Sequence, residues 1–527
     1  LIFSHGALTT KRMITPLLSK TYDVIVIGGS FSGASSALLL KRSNPALRVL
    51  IVEKSAKFDF RVGESTSEVA GCFMTRVLKI SHHLSCHQFQ KNGLRLWFTS
   101  PGNHDPGRCT EIGPFSQSRF PTYQLDRSLL DEHLIATARE EGCDVMRPAN
   151  VKEIHLHDKE SEIVVKQGEE IHHFQCKWLV DASGKAAVLA RKLDYLQPLP
   201  SHPVNSMWVR FSGVKNLDTH QVQSACPALM SGPNVSRSSA TNHLMGHGWW
   251  SWIIPLSNGD FSAGVTYDER IYTPPAGDSI AARIKAHILQ HPMGQLLFDE
   301  AVPVVNDAKA YKHLPYYSKQ VAGPNWICVG DAAGFMDPLY SQGLDYCSHT
   351  VYAATKIVSA SLAGECVQNK IAMQNQTFGE SYFRWYRGIY HNKYQYMGDA
   401  DCMNAAFLMD IAAYFIGPVR LVYENTDSEF SLMPYNGPAG KVFADFMALY
   451  NRRLAAIAAK LQANGLFGAN NLDQRYYLRK PFDKGIGSVR HMVAGMKMWL
   501  KLEWRAFWLS SARVPDPVKA QQVNSVT

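Results

Sequence analysis

With 527 residues, 46% of them hydrophobic, the chain is long enough for several packed layers and more than one domain. Its net charge of +9 is dispersed, with no basic run, Cys/His finger or RNA-binding signature. Such a balance favours an anionic ligand such as a diphosphate and argues against nucleic acid. Ten cysteines without a C-x-x-C pair read as reduced thiols of a cytoplasmic protein, and no run of about eighteen apolar residues marks an integral membrane span.

The first 22 residues carry Lys11, Arg12 and Lys20 but no acid. This weakly leader-like composition is expected to be an unstructured start or an over-read before Met13. A βαβ unit follows. Val24 to Ile27 predict a buried strand, Gly28 to Gly33 a turn, Ala34 to Lys41 a helix, and Arg48 to Val52 a second strand ending at Glu53. Gly28 permits the tight turn and Gly33 the close helix–strand packing, although Ser30 replaces the middle glycine of G-x-G-x-x-G. The helix start can face a pyrophosphate, and Glu53, twenty residues beyond Gly33, can accept from ribose hydroxyls. We assign Gly28, Ser30, Phe31, Ser32, Gly33, Glu53 and Lys54 to this nucleotide.

Thr99 to Phe115 is the Gly- and Pro-rich stretch expected to act as a mobile lid. Arg127 and Asp131, one helical turn apart, predict a cofactor-side ion pair. Asp181 to Gly184, after the strand "CKWLV", is expected to close the nucleotide-binding sheet, with Asp181 on the cofactor. Residues 200–320 alternate apolar and polar, as in "SMWVRFSGV", and read as an antiparallel substrate-side sheet. Within it, Trp249, Trp250 and Trp252 are either the core of an aromatic strand or the wall of a passage for a reactive intermediate.

Trp326 to Thr350 decide which nucleotide binds. A strand leads to Gly330-Asp331-Ala332-Ala333 and then to a helix starting near Gly343. Asp331 can hold a ribityl hydroxyl, and the helix N-terminus can face the pyrimidine edge of a flavin. A second such element some 300 residues after the first turn specifies FAD rather than NAD. From about Gly364 the chain reads as helical. The last helix sets Lys497, Lys501 and Arg505 against Met492, Met496, Trp499 and Phe507, as a docked terminal helix would.

With these residues in place, the chain resembles the FAD-dependent halogenases of the flavin monooxygenase superfamily. The likeness rests on the Gly28 to Gly33 turn, Gly63-Glu64-Ser65-Thr66, Trp250-Ser251-Trp252-Ile253-Ile254-Pro255, and Asp337-Pro338-Leu339-Tyr340-Ser341-Gln342-Gly343. It implies a flavin-hydroxylase-like α/β fold. FAD, supplied reduced by a separate flavin reductase, would work with O2 and halide, chloride or bromide, on a small aromatic substrate that is free or carried by a protein. It places Glu64, Ser65 and Leu344 beside the flavin, and Ser341, Gln342 and Gly343 on halide. Hypohalous acid would then travel past Trp250 and Trp252 to Lys91, which stands in "FQKNGLRLWF" where the family has its tunnel lysine.

Two positions depart from the family pattern. Tyr340 stands where the tryptophan-acting branch has an acid, which argues for a phenol- or pyrrole-like ring. Asp345 would repel halide unless paired, for instance by His349 one turn on, and leaves open a hydroxylase or oxidase of the same fold. A flavin-binding protein without turnover is the other alternative. The expected division is an FAD domain at 22–195 and 320–363, a substrate-side sheet at 196–319 and a helical region at 364–527.

Overall fold

The computed structural model describes residues 20–424, 430 and 433–509; the leader-like start lies outside the described residues. The first sheet is built on the expected unit. Thr21–Ile27 runs parallel to Val49–Val52 on one side and to Glu170–Asp181 on the other. Trp326–Cys328 pairs with the far edge of Glu170–Asp181, also in parallel, so both nucleotide-motif strands end on one side of one sheet. Val24 to Ile27, Val49–Val52 and Trp178 to Val180, the stretches that pair in parallel, are apolar and buried, as in a parallel sheet covered on its faces. Helix Phe31–Ser43 packs against Arg127–Glu140 and Gly343–Leu362.

The second sheet is mostly antiparallel, and its order runs Val302–Pro303, Val204–Ser212, Phe261–Asp268, Trp249–Pro255, Thr241–Gly246, Leu94–Phe98, Thr110–Pro114, Arg475–Leu478. Its strands cross the expected boundaries. Two strands come from the stretch assigned to the cofactor domain and one from the stretch assigned as helical. The sheet corrects the lid: Thr110–Pro114 is a sheet strand, and the loop before it is tied down by Asp473 N–H donating to Arg108 O (2.6 Å) and Thr110 Oγ1 to Asn470 O (2.8 Å). Its Gly and Pro serve tight turns between fixed points.

The helices after residue 364 pack into the same core as the first sheet. Ala400–Glu424 is apolar enough by composition to cross a membrane, but 72% of its most apolar window is buried inside the protein. The last helix, Ile486–Phe507, lies along Ala400–Tyr414 and buries Gly495, Leu502 and Ala506. Met492, Met496 and Trp499 pack inwards as expected, whereas Phe507 is 70% exposed beside exposed Trp504 and Trp508.

Candidate active site

Period two settles what the tryptophans do. In Trp249–Pro255, alternate side chains take opposite faces. Trp249 turns outwards onto His287 (centroids 4.4 Å apart), while Trp250 and Trp252 turn inwards, 5.6 Å apart, and line a cavity of about 1000 Å³. The two inward rings are 2% and 3% exposed, so they are core and wall at once. Gly264, opposite Trp252 in the neighbouring strand, makes room for the indole; a Cβ there would strike the ring. Trp250 Nε1–H donates to Tyr394 Oη (3.0 Å), Tyr394 donates to Asp337 Oδ2 (2.8 Å), and His202 meets the same oxygen (2.9 Å). The indole is thereby tied to the 337–343 turn.

The far end of this cavity is the dinucleotide turn, represented by Ser30, Phe31 and Ser32. Gly28 has φ +95°, and any Cβ there would meet the Ala182 carbonyl. Ser30 and Gln342, which precede the two helices that open on the cavity, make no side-chain caps. Apart from Phe31 N–H, which Asp131 takes, neither helix start is capped by the residue before it, so both dipoles open on the cavity. Arg127 pairs with Asp131 (3.1 Å), and Asp131 also accepts from Phe31 N–H. Burial pushes the Asp331 carboxyl up to about 6, against the pull of Arg127. Glu64 is pushed up to about 7 by burial, which Arg210 opposes from 2.7 Å. The two helix ends and the aromatic end wall fit a bound FAD.

A second cavity, of about 870 Å³, lies behind a shared partition. Along one segment Gly63, Glu64 and Ser65 face the first cavity and Ser67 and Glu68 the second. Along the other, Ser341 and Gly343 face the first and Tyr340 and Gln342 the second. Lys91 lines the second cavity and is 6% exposed, and its ammonium donates to the carbonyl of Thr66 (2.6 Å), in the middle of the partition. Burial lowers this amine to about 8, although Glu68 and Asp345 pull the other way. Its charge also reaches His243, whose ring is tilted against Trp250 in the first cavity (centroids 4.8 Å apart); burial is the main reason that this imidazole falls to about 3.

Of the other expected residues, Ser65, Arg127, Asp331, Ser341, Gly343, Leu344, Trp250 and Trp252 line the first cavity. Several do not. Gly33 holds the helix against Gly28, Glu53 accepts from Gly29 N–H (2.7 Å) and Ser55 N–H (2.9 Å), and Lys54 is exposed. Asp181 is fully buried and does not line the cavity: its carboxylate accepts from Ser183 N–H and Leu189 N–H and secures the turn. Gln342 faces the second cavity and accepts from Tyr390 (2.8 Å).

Asp345 is corrected. Its carboxylate does not pair with His349, whose Nδ1 meets Phe430 O. It accepts from Ser67, from Ala70 N–H (2.9 Å) and from Tyr414 (3.0 Å), away from the Ser341 to Gly343 turn. Burial raises it to about 7, partly offset by those donors. Sequence reasoning missed Arg210, the partner of Glu64 and Asp126, whose only signal was a cation inside an apolar strand. It also missed Asp410 and Lys393, a buried ion pair beside Tyr340.

The tryptophan halogenase family model matches residues 108–386. Among curated proteins, monodechloroaminopyrrolnitrin halogenase PrnC of Pseudomonas fluorescens is 27% identical over 65% of this chain and 62% of its own length, less than two thirds. A 1H-pyrrole-2-carbonyl-[peptidyl-carrier protein] brominase of Pseudoalteromonas luteoviolacea is 26% identical over 66% of this chain and 79% of its own. Among solved structures, halogenase PltM in complex with phloroglucinol and FAD shares the fold, with a TM-score of 0.71 at 16% identity, covering 94% of this chain and 99% of that one.

Proposed function

The chain belongs to the tryptophan halogenase family, and from that premise we propose that it is a flavin-dependent halogenase of an electron-rich aromatic ring, phenol- or pyrrole-like rather than free tryptophan. When bound, reduced FAD supplies with O2 the oxidising power that turns chloride or bromide into hypohalous acid. Two cavities back to back, with Lys91 at their partition, carry the reading. Ser30 to Ser32, Arg127, Asp331 and the Gly343 helix start would hold the cofactor, and Ser341 and Gly343 would border the halide. Trp250 and Trp252 exclude water from the cofactor side and keep the substrate ring out of it.

Lys91 is the group that deals with the oxidised halogen. One N–H is committed to Thr66 O, which leaves further donors for a hypohalous oxygen, and near pH 8 a substantial share of the amine is neutral. The brominase relative takes a pyrrole on a carrier protein and the PltM structure holds phloroglucinol, so small electron-rich rings, free or carrier-bound, are the substrates to try first. Both nucleotide elements of the sequence read as parts of one FAD site and neither as an NAD(P)H fingerprint, which fits a separate flavin reductase as partner. The test is mass spectrometry of a phenol, pyrrole and indole panel incubated with reductase, FAD, O2 and chloride or bromide. A halogen isotope pattern on a phenol or pyrrole supports the proposal; oxygenated products alone would refute it.

A further inference from the structure

The second cavity contains an acid that the proposed chemistry does not use. Helix Ala400–Tyr414 presents Phe407, Asp410, Ile411 and Tyr414, spaced as one helical face, to the cavity. Asp410 is 1% exposed. Its Oδ2 accepts from Tyr340 (2.9 Å) and from the ammonium of Lys393, itself fully buried. The other oxygen, Oδ1, has no partner among the described residues. Buried carboxylate oxygens are rarely left so, because each lost hydrogen bond to a charged group is costly.

We propose that Asp410, held in the cavity wall by Lys393 and Tyr340, accepts a hydrogen bond from the ring O–H or N–H of the aromatic substrate and selects for substrates that carry one. The inference rests on the halogenase reading, which makes this cavity the place of the ring. Tyr340, Phe407, Tyr414, Phe415 and Phe482 supply flat apolar walls for that ring but no fixed acceptor of their own kind. Asp410 supplies the acceptor. Lys393 neutralises it, and both donors sit on Oδ2, which leaves Oδ1 as the carboxylate oxygen without a donor among the described residues. Glu68, the other acid on this cavity, is partly exposed and sits within the field of Lys91, so it belongs to the partition end. The position of Tyr340, read in sequence as the loss of an acid, is thus supplied with one from a different helix.

The test is calorimetric binding to the FAD-loaded protein of two matched pairs of probes: 2-naphthol with 2-methoxynaphthalene, and indole with N-methylindole. At least one donor-bearing probe should bind roughly ten- to hundredfold tighter than its methylated partner, the range of a hydrogen bond to a charged group. Asp410→Asn should reduce that ratio several-fold. A double variant, Lys393→Met with Asp410→Leu, removes the ion pair without stranding a charge and should bring the ratio to about one. Equal binding within both wild-type pairs would overturn the proposal, and this outcome needs no variant to fold. So would a ratio that survives the double variant, or one that falls with Glu68→Gln instead of Asp410→Asn. Because binding is read without turnover, a failure here is separate from a failure to halogenate, which the product assay reports.

Discussion

The two cavities are made in different ways. The cofactor-side cavity takes much of its lining from short local stretches, Ser30 to Ser32, Val62 to Ser65, and Ser341, Gly343 and Leu344, each built by neighbours in sequence. The second is lined by side chains gathered from Ser67 to Phe482, on helices, strands and a loop that have no local relation. A turn that brings backbone to a phosphate must be written with particular residues in a particular order. A pocket for a ring can be made from any well-placed walls, so its specification is spread over the chain.

If the partition separates two chemistries, Lys91→Ala should lower halogenated product by roughly 10²–10⁴-fold, the range for a proton-handling group. Flavin fluorescence titration should find FAD binding intact, since Lys91 lies outside the first cavity. Product that persists would dissolve the distinction. On the cofactor side, Arg210→Leu leaves Glu64 and Asp126 without their cation and should cost about 3–5 kcal/mol in denaturant unfolding, with weaker FAD binding. Unchanged stability would mean that Glu64 is not held by this pair.

A third measurement sharpens the role of burial at the partition. The Lys91 amine lies near 8 in the folded chain, below its ordinary value of 10.5, so at pH 6–7 the fold carries a buried charge. Lys91→Met should therefore raise stability by up to about 3 kcal/mol at neutral pH. Between pH 8 and 10.5 the unfolded wild type binds more protons than the folded one, so wild-type stability rises there and the variant's advantage shrinks. A gain independent of pH would assign the effect to packing. The smallest effect is expected at Asp345. Its carboxylate is already engaged by three donors away from the Ser341 to Gly343 turn, so Asp345→Asn should change the halide concentration for half-maximal product by less than about twofold.

What was legible follows the same division. Gly28, with its left-handed φ and the Ala182 carbonyl against it, could be read because backbone geometry dictates the residue. Trp250 and Trp252 came from the likeness to W-x-W-x-I-P, and the strand period accounts for the face they share. Asp345 and His349 were misjudged because i,i+4 spacing shows that two side chains can meet, while packing against Ser67, Tyr414 and Phe430 decided that they do not. Asp410, one acid in "AAFLMDIAAYF", gave no sign of its partner seventeen residues earlier or of Tyr340 seventy residues earlier. The membership of the second sheet was hidden for a related reason: nothing in "RYYL" announces that it pairs with Glu111 to Pro114.

That last pairing has a consequence for how the molecule comes into being. Arg475–Leu478 lies in parallel beside Thr110–Pro114, and Lys480 to Phe482 directly after it complete the wall of the second cavity. During synthesis, the first sheet can acquire its three central strands once residue 181 has emerged, whereas the second cavity stays open until some 300 further residues have followed. Closure over such a separation is slow relative to local structure. A nascent chain would therefore have the parts for its cofactor pocket well before it could confine a substrate, and a ribosome stalled before residue 475 should present an unprotected strand edge at Thr110–Pro114 for chaperones to cover.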